Sequence, residues 1–166
     1  MQLNYYNSRF EKRQFPIVLI CNNVTNAPNI GSLFRTADAF GIEKLIFCGT
    51  DIHIGRKMTK TSRATEKTIL FDLNLDIVQT VEDYKERGYQ IIALEITEFS
   101  TPIHNFSLDP SKPIALIVGD ENFGIHEWVL SNSDVVLHID MYGQNSSMNV
   151  VQATTIALYE FTKKLI

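Results

Sequence analysis

Five apolar runs, interrupted only by His138, punctuate the chain at residues 17–21, 45–48, 91–94, 114–118 and 135–139. Runs of this length without polar alternation suit strands covered on both faces, as in a parallel sheet between helices. Helical spacing fills the gaps. Ile30, Leu33, Phe34, Ala37 and Phe40 share one face, and Gly41 is placed to close that helix. Leu75, Val78, Val81 and Tyr84 repeat the pattern before Gly88. The last segment, 149–166, puts Val150, Ala153, Ala157, Leu158 and Phe161 largely on one side. Strand alternating with helix predicts an α/β fold with a mainly parallel sheet flanked by helices. Residues 100–113, with three prolines, predict a long loop.

At 166 residues the chain suits a single domain, 1–166, with one sizeable core. The 45% hydrophobic and 20% charged shares exclude a disordered or collagen-like chain. No apolar run reaches the roughly 18–20 residues of a membrane span, and the first residues lack the apolar stretch of a signal peptide. The cysteines, Cys21 and Cys48, lie in apolar runs and form no metal-binding spacing. Together these features predict a reduced, cytoplasmic protein.

The net charge of -4 is unlike the strongly basic balance of many nucleic-acid binders. Its distribution is uneven. Arg56, Lys57, Lys60, Arg63 and Lys67 crowd one stretch with a single acid, Glu66, and Arg9, Lys12 and Arg13 form a second cluster. Asp76, Glu82, Asp83 and Glu86 predict one acidic, solvated helix. A short basic cluster reads equally as a solvated face or a phosphate contact.

Three polar segments interrupt the pattern where turns leave strands, and ligands of open α/β sheets gather at such places. In 22–36, Asn29 is placed to cap or begin a helix, and Arg35 follows among apolar neighbours. A phosphate at that helix start and simple capping are both open readings. In 118–125, two glycines bracket Glu121. Gly119 allows close backbone approach, and Gly124 supplies a permissive turn. The string is neither GxGxxG nor GxxxxGK[ST], so no dinucleotide fingerprint or P-loop is present. In 139–150, Ser147 and Asn149 stand where N-caps belong, in a loop longer and more polar than capping requires. His53, His104, His126 and His138 have no metal-ligand spacing, and His138 reads as a packed strand residue. No GxSxG nucleophile is present. Trp128 reads as core or interface packing.

Together and in this order, NIGSLFRT at 29–36, IVGDENFG at 117–124 and SMNV at 147–150 resemble the three motifs of the SpoU (TrmH-like) class of SPOUT methyltransferases. The resemblance spans residues 16–165. It implies methyl transfer from S-adenosylmethionine to a ribose 2′-hydroxyl of tRNA or rRNA, a deep C-terminal trefoil knot that holds the cofactor, and a homodimer. General topology rules would instead draw an unknotted sheet. By the same resemblance Asn29, Arg35, Glu121, Ser147 and Asn149 take catalytic positions. Cofactor contacts, largely from backbone, fall near Leu94, Glu95, Gly119, Ile139 and Met148, and no metal is implied. Met148 replaces a more usual leucine of similar volume. In this context Arg56, Lys57, Lys60 and Arg63 become candidates for RNA phosphates. A catalytically silent RNA-binding protein on the same fold is the alternative.

Overall fold

The computed structural model describes residues 10–166; Arg9 and most of the N-terminal stretch considered above lie outside the described residues. In chain order the elements are β1 (Phe15–Asn22), α1 (Ala27–Ala39), β2 (Ile42–Cys48), α2 (Arg56–Ser62), β3 (Leu70–Leu75) and α3 (Ile77–Glu86). They continue with β4 (Gln90–Leu94), β5 (Thr101–Pro102), β6 (Ile114–Gly119), α4 (Glu127–Asn132), β7 (Val135–His138) and α5 (Val150–Leu165). The strands form one sheet in the order β3-β2-β1-β6-β4-β7-β5. All of its pairings are parallel, as the unbroken apolar runs predict.

Alternate residues of each central strand enter two cores, because side chains on a strand point to opposite faces. Ile17, Leu19 and Cys21 join Leu33, Phe34, Met58, Leu158 and Phe161 from α1, α2 and α5. Val18 and Ile20 join Val81, Tyr84 and Val129 from α3 and α4. Leu19 and Ile20 are both fully buried, so β1 is interior in depth as well as in order.

Gly41 follows α1 at φ +58°, and a Cβ there would lie 2.0 Å from the Arg13 carbonyl oxygen. The predicted helix stop therefore has both a conformational and a steric cause. Gly88 follows the end of α3 at φ +82°. Cys21 and Cys48 are buried free thiols. Burial pushes both thiols up, Cys48 to about 11, so both stay protonated at neutral pH.

The structure corrects several local expectations. Leu75 ends edge strand β3 and does not open α3, because Asp76 caps α3 by accepting from the Gln79 N–H at 2.9 Å. β3 escaped the apolar-run reading because it carries Asp72 and Asn74 and leaves Leu70 exposed. The predicted loop 100–113 contains β5 and a 3-10 turn at Ile103–Asn105. The basic stretch begins with a helix, α2, that its short apolar pattern had not revealed. Glu82, Asp83 and Glu86 are exposed on α3 as expected.

Candidate active site

The three polar segments converge where β1 and β6 leave the sheet. Asn26, not Asn29, caps α1: its side chain accepts from the Asn29 N–H at 3.1 Å. Asn29 thus lies inside the first turn of α1, with its own side chain free for other partners. Asn149 caps α5, accepting from the Val151 N–H at 2.9 Å. Ser147 is exposed and caps nothing.

One carboxylate oxygen joins the motifs. Glu121 Oε1 accepts from Asn149 Nδ2 at 2.6 Å, from Asn29 Nδ2 at 3.2 Å and from the Val150 N–H at 3.5 Å. Asn149 Nδ2 also donates to Asn29 Oδ1 at 3.1 Å, closing a triangle. The carboxylate lies at the start of α5, where unpaired N–H groups and the helix dipole favour negative charge.

The turn that presents Glu121 is built from its neighbours. Asp120 Oδ1 accepts from the Asn122 and Phe123 N–H groups at 2.8 and 3.0 Å. The Gly124 N–H donates to the Asp120 carbonyl at 2.9 Å. A Cβ on Gly119 would meet the Gly124 backbone at 2.3 Å, so Gly119 admits a close approach of the chain to itself. Buried Asn22, at the end of β1, anchors the far side. Its carbonyl accepts from the Asp120 N–H at 3.0 Å, and its Oδ1 accepts from the His126 N–H at 2.9 Å. Sequence reasoning singled out Asn22 only as part of a polar string. The signal it lacked was the contact with His126, 104 residues away.

Beside this turn is a cavity of about 440 Å3, within the usual range for small-molecule sites. Leu94, Glu95, Gly119, Ile139 and Met148, the five positions expected to meet a cofactor, all line it. Glu121 and Ser147 line it as well. His138 also reaches the wall, bonded to Ser100 Oγ at 2.9 Å and facing Asp140 at 3.3 Å. No group of three metal-binding side chains occurs among the described residues. A second, smaller cleft shares Asp120, Glu121, Asn122 and Val150 and adds Asn26 and Asn29.

Arg35 stands apart. It is exposed on α1 and joins no other described residue by a hydrogen bond or ion pair. Glu121 does not pair with it; the acid turns to Asn29 and to the third motif. Arg56, Lys57, Lys60 and Arg63 are exposed too, while Met58 and Ser62 bury the other side of α2. Helix α2 crosses the start of α1, where Thr61 Oγ1 donates to the Pro28 carbonyl at 3.2 Å. The basic face is therefore fastened one residue from Asn29.

The sequence profile of the SpoU rRNA Methylase family matches residues 16–159. The chain belongs to that family. Its SpoU motifs are thus the three segments that Glu121 ties together. The chain is 32% identical over 151 residues to a tRNA (guanosine(18)-2′-O)-methyltransferase of Aquifex aeolicus, covering 90% of this chain and 70% of that protein. The crystal structure of the A. aeolicus TrmH/SpoU tRNA modifying enzyme superposes with a TM-score of 0.81 at 31% identity, over 93% of this chain and 77% of that one. The SpoU methyltransferase AviRb from Streptomyces viridochromogenes, solved in complex with AdoMet, gives a TM-score of 0.75 at 25% identity, over 97% and 64%. Other curated relatives are matched over less than two thirds of their length, 63% and 58% in two cases.

Proposed function

We propose that this chain transfers a methyl group from S-adenosylmethionine to a ribose 2′-hydroxyl of tRNA or rRNA. The observation that carries the reading is the single oxygen of Glu121 holding Asn29 and Asn149 beside the cavity. A binding module has no need to lock three motif residues to one another at the mouth of a small-molecule cavity. Family membership and the AdoMet complex of AviRb support the same cofactor. The cavity fits that group: Leu94, Val118, Ile139, Met148 and Ala153 offer apolar walls for an adenine, and Glu121 offers negative charge to a sulfonium. When bound, the cofactor supplies a methyl already activated by a neutral thioether leaving group.

The chain's own residues then have two tasks. Glu121, Asn29 and Asn149 hold the turn and the start of α5 in one geometry, and such alignment is worth on the order of 7–11 kcal/mol of barrier at most. Arg35 stabilises the alkoxide that develops on the acceptor oxygen and grips an adjacent phosphate with its planar fork. A guanidinium, with a pKa above about 12, is a poor base near neutrality, so the role is electrostatic. Ser147, exposed at the cavity edge, hydrogen-bonds substrate or loop. Arg56, Lys57, Lys60 and Arg63 contact RNA phosphates.

Residues 1–166 act as one methyltransferase domain, in the cytoplasm and as a homodimer. Among the described residues no helix is long and apolar enough to cross a membrane. The segment from β4 to α5 threads as a trefoil knot. Two features support this: β6 lies between β1 and β4 in the sheet, and α5 returns to α1, where Thr155 Oγ1 and Thr36 Oγ1 are 3.4 Å apart.

The test is transfer of labelled methyl from S-adenosylmethionine to tRNA and rRNA fractions that lack ribose methylation. Labelled 2′-O-methylribose in one fraction is the expected result. Absence of both label and cofactor binding would favour the silent RNA-binding alternative.

A further inference from the structure

Glu95 follows β4, and its side chain lies between two walls of the cavity. Oε1 accepts from the Ile96 N–H at 3.0 Å, and Oε2 accepts from the Ile125 N–H at 3.2 Å. The carboxylate also fills the space above Gly124: a Cβ there would lie 2.6 Å from Oε2. Gly124 has φ +67°, so glycine is required at that point by backbone and by Glu95 together. Glu95 therefore fastens the end of β4 to the turn that carries Glu121.

These bonds leave work for the carboxylate. An ionised carboxylate accepts about four hydrogen bonds and donates none. Each oxygen of Glu95 has one N–H partner, so each keeps acceptor capacity, and the plane of the group is pinned from both ends. Among the described residues no lysine or arginine lines the cavity to neutralise it. Asp120 and Glu121, the other acids of the wall, also line the second cleft, whereas Glu95 belongs to this cavity alone. Two side-by-side acceptors held rigid match two adjacent hydroxyl donors. A rigid acceptor pair loses little entropy on binding such a group.

We infer that Glu95 recognises the vicinal hydroxyls of the cofactor's ribose while positioning the Glu121 turn. The inference rests on the cofactor reading above and assigns a side-chain role where only backbone contacts were expected.

The experiment measures equilibrium binding of S-adenosylhomocysteine and of its 2′-deoxyribose counterpart to the full chain by calorimetry. The wild-type protein is compared with Glu95→Gln and Glu95→Asp. In wild type, loss of the hydroxyl is expected to weaken binding about 10- to 100-fold, the range for a charge-assisted hydrogen bond. In both variants the gap is expected to shrink below about threefold, whatever the absolute affinity. Thermal unfolding of each variant checks the fold, and the sugar comparison on wild type needs no variant at all. A wild type indifferent to the hydroxyl overturns the assignment. An undiminished gap in folded variants overturns it too. Loss of preference for S-adenosylmethionine over S-adenosylhomocysteine, with the sugar gap intact, would move Glu95 to the sulfonium and overturn it. Failure of wild type to bind any of these compounds would defeat the cofactor reading itself, and this assignment with it.

Discussion

Asn29 and Arg35 come from the same motif and the same helix, six positions apart, yet their surroundings are opposite. Asn29 is half-buried and bonded to Glu121 and Asn149. Arg35 is exposed and bonded to no other described residue. The asparagine's hydrogen-bonding capacity is largely used within the chain, so its work is internal: it fixes where β6 and α5 stand relative to α1. The arginine's five donors meet no other described residue, which leaves them for the anionic or electron-rich group that the proposed mechanism brings to it. In the proposed mechanism one motif thus holds both a positioning group and a reacting group.

The sharpest test of this division is Arg35→Ala. Methyl transfer should fall about 100- to 1000-fold, the usual cost of removing a transition-state donor. Stability should move by no more than about 0.5 kcal/mol, because an exposed side chain without partners is removed. Arg35→Lys should fail nearly as badly, since lysine keeps the charge but loses the planar fork. Initial rates beside thermal unfolding check both statements. Near-normal turnover by the lysine variant would remove the fork from the argument.

Glu121→Ala should behave differently. It leaves two amide groups and the Val150 N–H without their shared acceptor. Activity should drop about 100-fold, and the unfolding free energy should fall by about 1 kcal/mol, discounted because the carboxylate is exposed. Glu121→Gln retains one acceptor oxygen and should recover much of the stability but less of the activity. If Glu121→Ala left the melting temperature unchanged while Arg35→Ala lowered it, the contrast between the two regions would collapse.

How much of this was legible beforehand follows the same line. Strand-forming runs such as 114–118 announce themselves because both faces are covered, and Gly41 marks a helix end that the structure bears out. Edge strand β3 was hidden because one face is polar, and α2 because seven residues bury only Met58 and Ser62. Asn29, Glu121 and Asn149 were nameable from motif order, but not their triangle, which joins positions 92 and 120 residues apart. Asn29 looked like a cap because capping residues and site residues share one chemistry. Only the geometry separates Asn26 from Asn29. The bond from Glu95 to the turn of the second motif had no local signal, since Ile125 lies 30 residues on.

A third prediction probes how the external region is attached to the internal one. Gly31 is where α1 and α2 touch. A Cβ there would lie 2.0 Å from Thr61 Oγ1 and 2.3 Å from the Met58 carbonyl oxygen. Thr61 could rotate away, but the backbone carbonyl cannot, so Gly31→Ala must push α2 outward at about 1–3 kcal/mol. Cofactor affinity should hold, because the cavity lies on other elements. RNA affinity should fall, because the basic face moves relative to Asn29. Equal losses in both would mean that α2 supports the cavity and is no separate surface.

The smallest effect expected belongs to single charges on that surface. Lys60→Ala removes one exposed ammonium that has no ion-pair partner among the described residues. If Lys60 meets an RNA phosphate, the slope of log affinity against log salt should shrink by about 0.7 to 0.9, the contribution of one released counterion. The loss should be similar for all RNAs, since a phosphate contact carries no sequence information. Glu82→Gln on the acidic helix α3 is the control: it alters net charge by the same magnitude with the opposite sign and lies on the opposite face of the sheet. Shifts of equal size and opposite sign in the two variants would show that RNA senses only the overall charge of the molecule. A change confined to Lys60→Ala would tie the RNA path to the helix fastened beside Asn29, and would make Arg35, on the helix it crosses, the next group the backbone meets.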